Sequence, residues 1–248
     1  ILLAAPSLMV IRGEFAAIAR AEREVSGLAP LWSTLKLVQQ TQLHRGLSNL
    51  ALGGQDDLLP DWADARQKTH AASQELQRAA IQLDNILLQE KITLIGKRWQ
   101  ALADRIEAQQ ISREESFRLH TGLVADLLAL VDDIAIDSGI SLHQETAGHY
   151  LKAAVVLYLP GVTENLGQLR AHGALALSRQ EAGVEDRRQL AALAGSIQSN
   201  LSAARKALLL ATASDPALLQ HLQVPMAQAL AQTGSALSLI DMHILYSS

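Results

Sequence analysis

Apolar residues recur along the chain at helical spacing, as at Trp99, Leu102 and Ile106. Glycine, proline and capping residues cut the pattern into long helices. The first is expected from about Ala5 to Leu52, stopped by Gly53-Gly54, with Pro30 inside it as a source of a kink. The second begins near Pro60-Asp61, with proline suited to a first helical position. A third stretch covers about Gln89 to Ala108, with no clear break before it. Ser112-Arg113-Glu114-Glu115 is a capping box, and the helix it opens runs to about Asp137 and stops at Ser138-Gly139. Three more stretches follow: Glu145 to Gln180 with an internal Pro160, Val184 to Thr212, and a last one entered through Ser214-Asp215-Pro216, with a kink site at Pro225. That makes about seven helices and no strand.

Lengths suggest an arrangement. The first helix spans roughly 70 Å at 1.5 Å per residue, and the helix from Ser112 to Asp137 is about half as long. The expected architecture is therefore two stacked four-helix bundles sharing the long N-terminal helix. One bundle takes in about 28–137, the other about 1–27 plus 145–248, and both chain ends fall at one pole.

Composition agrees with an all-α fold. Hydrophobic residues are 49% of the 248, yet aromatics only 3%, so the apolar content is mostly Leu, Ala, Ile and Val. The net charge of −4 and the lack of a concentrated Lys/Arg face argue against nucleic acid as a partner. Cysteine is absent, which removes disulfides and thiolate chemistry. The stretch Ile1 to Ile11 is almost wholly apolar, shorter than the roughly 20 residues a bilayer crossing needs. It reads either as the outer end of a transmembrane helix or as a buried first helical turn.

Short ordered segments carry a resemblance. Leu37 to Ser48, with His44-Arg45-Gly46-Leu47-Ser48, resembles the Q-x-HRGLS stretch in the sensor regions of methyl-accepting chemotaxis proteins, histidine kinases and diguanylate cyclases. Glu24, Gly27, Pro30 and Leu31 resemble the E-x-x-G-x-x-x-P-L that precedes it there. Phe117 to Val124 is similar to F-x-x-H-T-x-L-I, and Asp137-Ser138-Gly139-Ile140 with Leu142 to D-S-G-L-x-L-D, with His143 where the last Asp stands. His149-Tyr150-Leu151 through Leu159-Pro160 to Leu166–Ala174 resembles Y-Y-L … L-P … L-G-x-L-R-x-x-G-A. Two families fit: the nitrate/nitrite-sensing domain and the helical bimodular sensor domain. The resemblance implies a periplasmic sensor domain of an inner-membrane receptor, flanked by transmembrane helices. The 28–137 bundle would then be membrane-distal and the other membrane-proximal. The implied ligand is a small anion, nitrate, nitrite or an organic acid.

Register arguments select candidate residues. If helices alternate direction, His44, Arg45, Ser48, Arg66, His70, Trp99 and His120 fall near one level of the outer bundle. A guanidinium inside a bundle must be paired, and its planar fork suits a carboxylate or nitrate. The ligand-binding set is therefore Arg45, His44, Ser48, Arg66 and His120; in the second bundle the resemblance picks out Arg170 and His172, of which at most one points inward, and Arg170 is the candidate. Alternatively Arg45 pairs with a carboxylate such as Asp104 or faces solvent, His120 satisfies a core hydrogen bond, His70 is solvated and Trp99 is core.

No catalytic or metal pattern emerges. No glutamate has a histidine three residues on, as a di-iron bundle requires, and there is no His-Glu-x-x-His or phosphate-binding loop. The expectation is a sensor without cofactor, metal or enzymatic activity. The alternative is a ligand-free helical module for homodimerisation or protein interaction.

Overall fold

A computed structural model describes residues 4–140, 146–178 and 183–240, with side chains for 17–55, 57–140, 146–173, 183–235 and 237–238. The apolar opening stretch, His143 and the expected boundaries at Glu145 and Gln180 thus fall wholly or partly outside the described residues. Every long element described is a helix: α1 (Ala4–Ala51), α2 (Leu59–Ala79), α3 (Ile86–Glu107), α4 (Arg113–Asp137), α5 (Thr146–Lys152), α6 (Leu159–Ser178), α7 (Val184–Ser214) and α8 (Leu219–Ile240). The fold is all-α. None of these helices is long and apolar enough to cross a membrane.

Local chemistry sets the boundaries. α1 ends before Gly54, whose φ of 86° is left-handed, and α4 ends before Gly139, at 79°. Ser112 Oγ accepts the Glu115 N–H at 3.1 Å and caps α4. The break before α3 comes from Leu83, which turns to extended backbone, and from Asn85, whose Oδ1 accepts from the N–H groups of Leu87 and Leu88. α5 continues through a π-helical segment, Ala153–Tyr158, into α6. Pro160 is the second residue of α6, and a proline lacks the N–H that a regular turn would use.

The chain divides into two compact units, Ile1–Leu142 and His143–Ser248. In the first, α1 packs on α2 and α4, and α3 on the same two, so the four helices form a closed ring of neighbours. Its core contains Leu37, Leu76, Ile92, Trp99, Leu123, Leu127 and Ile134. α1 and α4 approach closely at Gly27, where an added Cβ would collide with the Ser138 side chain. Ion pairs tie the surface: Lys36–Glu75 at 2.6 Å joins α1 to α2, and Lys91–Asp133 at 2.5 Å joins α3 to α4.

In the second unit α7 packs against α5, the π segment, α6 and α8. One cluster joins Val162, Leu169, Leu190, Ile197 and Leu237. Another joins Ala154, Ala207 and Leu208, with Tyr158 and Met226 packed against it.

Candidate functional site

A polar layer lies inside the first unit. His44 and Ser48 are one turn apart on α1 and share a face, as do Ser116 and His120 on α4. His44 and His120 are fully buried, and Nδ1 of His44 lies 2.8 Å from Nε2 of His120. Nδ1 of His120 lies 2.7 Å from the Ser116 carbonyl oxygen. A carbonyl only accepts, so that nitrogen carries a proton. In the neutral ring Nε2 is then an acceptor, and the proton in the bond between the histidines belongs to Nδ1 of His44. Nε2 of His44 is left bare, and it is buried without a hydrogen-bond partner.

Both rings are held neutral at physiological pH. Burial, then the neighbouring charges of His120 and Arg66, push His44 down from 6.5 to about 2. Burial lowers His120 to about 4, the bond to Ser116 opposes this, and Arg45 adds to the lowering.

Arg45, the next residue on α1, turns toward α4. Its side chain is 2% exposed, donates to Thr121 Oγ1 at 2.9 Å and lies over the Phe117 ring at 5.1 Å. Ser48 accepts the indole N–H of Trp62 from α2 at 3.0 Å. Trp99 from α3 meets the His44 ring edge to face, 4.9 Å between centroids, and its buried Nε1–H has no partner.

Outside this layer a cavity of ≈ 440 Å³ opens between α2 and α3, bordered by Trp62, Arg66, His70, Trp99 and Glu107. Arg66 is partly exposed there and gripped by Glu107 through contacts of 2.9 and 2.7 Å, with Asp104 at 3.6 Å. Among the described residues no group of histidines and carboxylates is arranged to hold a metal ion.

The expected level is thus split. His44, Arg45, Ser48, Trp99 and His120 converge in the interior, while Arg66 and His70 line the outer cavity. Asp104 pairs with Arg66. Arg170 is exposed on α6 of the second unit. Sequence reasoning gave no role to Trp62, Ser116, Phe117 or Thr121. The signal was present: Trp62 stands four residues before Arg66, and Ser116–His120 and Phe117–Thr121 are each one turn apart.

A solved structure described as that of the NasR transcription antiterminator aligns with a TM-score of 0.67 at 18% identity, covering 97% of this chain and 73% of that one. At that identity the likeness concerns the fold. No curated protein matches the sequence. Residues 36–239 match the family described as nitrate and nitrite sensing, abbreviated NIT. That match takes in far more than half of the sequence, including α2–α7 and the last third of α1, which carries His44 and Arg45, and the chain belongs to the nitrate and nitrite sensing family.

Proposed function

We propose that this chain is the ligand-sensing domain of a bacterial transmembrane receptor, of the histidine kinase or chemoreceptor type. It binds nitrate, nitrite or a similarly small anion in its first unit beside Arg45. The observation that carries this reading is the burial of the Arg45 guanidinium, which donates to Thr121 Oγ1, beside the neutral His44–His120 pair. Arginine matches a planar oxyanion with parallel N–H groups. His44, Ser48 and His120 surround the site, Arg66 stands at its outer edge, and Arg170 is the candidate in the second unit. Family membership and the ordered motif pieces support the receptor reading, with the domain in the periplasm and transmembrane helices on either side. The anion favours one packing of the helices, and that preference is the signal.

Thermal-shift and calorimetric titration with nitrate, nitrite, chloride and small carboxylates test this. Stabilisation by nitrate or nitrite, lost in Arg45→Ala and kept in Arg170→Ala, supports a first-unit site. The reverse pattern moves the site to α6, and no stabilisation by any anion overturns the reading.

A second reading, a homodimerisation or protein-interaction module, is favoured by one observation. Ile18, Val25 and Trp32 are exposed on α1 at intervals of seven, with Leu28 between the last two. That is the spacing of a helix-pairing seam. Sedimentation of wild type against a Val25→Glu/Trp32→Glu variant tests it: a monomer in both removes its support.

A further inference from the structure

We propose that the His44–His120 pair is a proton site linked to the anion site, so that the domain takes up one proton on this pair with each small oxyanion it binds. The inference rests on the anion-binding reading above.

Donor and acceptor counting carries it. With Nδ1 of His120 donating to the Ser116 carbonyl, and Nδ1 of His44 donating to Nε2 of His120, every nitrogen of the pair is occupied except Nε2 of His44. That atom is the single place where the pair accepts a proton, and it is buried without a partner. A proton arriving there gives an N–H at His44. Transfer of the other proton across the 2.8 Å bond then leaves the positive charge on His120, whose two N–H groups point at His44 and at Ser116. One proton comes from solvent, and no other group changes.

The change reverses what the core offers. In the neutral pair His44 supplies a bare acceptor beside the unpartnered donor of Trp99. In the protonated pair that same atom carries an N–H donor, while both N–H groups of His120 stay engaged with His44 and Ser116. Nitrate and nitrite oxygens only accept, so the protonated form is the one matched to them.

Charge acts in the same direction. Arg45 on α1 opposes protonation of His120, and Arg66 on α2 opposes that of His44. From α3, Glu107 and Asp104 face Arg66 and hold it as an ion pair. α4 contributes His120 itself. An anion gripped by Arg45 offsets the cation that keeps His120 neutral, and the pair's proton affinity rises. Linkage is reciprocal, so protonation raises anion affinity by the same factor.

Calorimetry of sodium nitrate and sodium nitrite binding to the whole chain, between about pH 5 and about pH 8 in buffers of different ionisation enthalpy, counts the protons. The expected result is uptake approaching one proton per anion toward the acidic end, with affinity rising up to about tenfold per pH unit where uptake is complete. Imidazole ¹⁵N spectra, assigned with His44→Gln and His120→Gln, should show both rings protonated at Nδ1 and bare at Nε2 without anion. Addition of nitrate should protonate Nε2 of His44. Anion binding with no proton uptake at any pH overturns the linkage alone. A His44 ring already protonated at Nε2 in the anion-free protein overturns the assignment of the proton site. No binding of either anion at any pH defeats the anion-binding reading, and the linkage with it.

Discussion

Trp62 of α2 donates its indole N–H to Ser48 Oγ of α1 at 3.0 Å, and Ser48 Oγ in turn lies 3.3 Å from Nδ1 of His44. A single hydroxyl thus ties the second helix to the buried histidine pair. Trp62 is partly buried and Ser48 fully so, which makes the bond a boundary between the interior layer and the α2–α3 cavity. A Ser48→Ala, Trp62→Phe double-mutant cycle should give a coupling of about 0.5–1.5 kcal/mol in urea unfolding. A coupling of zero would show that the two helices do not depend on this bond.

The histidine pair should make stability depend on pH. His44 and His120 titrate at about 2 and about 4 in the folded chain, against 6.5 when exposed. Between these limits the unfolded chain binds more protons, so the histidine contribution is complete above pH 6.5 and is lost as pH falls toward the folded values. Each fully responding histidine costs about 1.4 kcal/mol per pH unit in that window. Urea unfolding between about pH 7 and about pH 5, where most carboxylates stay ionised, measures the slope. A His44→Gln/His120→Gln variant should flatten it; an unchanged slope would place the dependence elsewhere.

At Gly27, α1 lies against Ser138, the residue that caps the C-terminal end of α4. Gly27→Ala drives a methyl into the Ser138 side chain. Overpacking of this kind should destabilise by about 1–3 kcal/mol. Adding Ser138→Gly removes the collision and should recover much of the loss, read as the midpoint of urea unfolding. Equal instability of the single and double variants would mean the two positions do not meet.

Arg45 separates charge from geometry. Arg45→Lys keeps the positive charge but loses the planar fork over Phe117 and the reach to Thr121 Oγ1. Nitrate at about a hundred times its Kd should stabilise the wild type by about 2.7 kcal/mol. Under the same conditions Arg45→Lys should retain a small part of this and Arg45→Ala none. Full retention in Arg45→Lys would reduce the role of Arg45 to its charge alone.

Much of the fold was legible because its signals are local. Gly53-Gly54, the Ser112 cap and Ser138-Gly139 end or begin helices through the φ preference of glycine and the hydrogen bond of a serine side chain. Both operate over a few residues wherever the helix lies. The break before α3 was not legible. It depends on the extended backbone at Leu83 and on an asparagine cap at Asn85, in a stretch whose apolar spacing would also suit a continuous helix.

The sequence by itself determined the helices and most of their boundaries, the break before α3 excepted, and it drew attention to His44, Arg45, Ser48 and His120 within short motif-like segments. Only the tertiary structure decided which way each turned and what each met. His44 and His120 are 76 positions apart, and their bond exists because α1 and α4 are neighbours in the ring of four helices. Asp104 of α3 pairs with Arg66 because α3 is a neighbour of α2 in that ring. Helix rotation and neighbour choice are set by the burial of all apolar faces together, a sum over distant residues that no short segment contains. The buried histidine pair, with its one bare nitrogen, is a product of that packing.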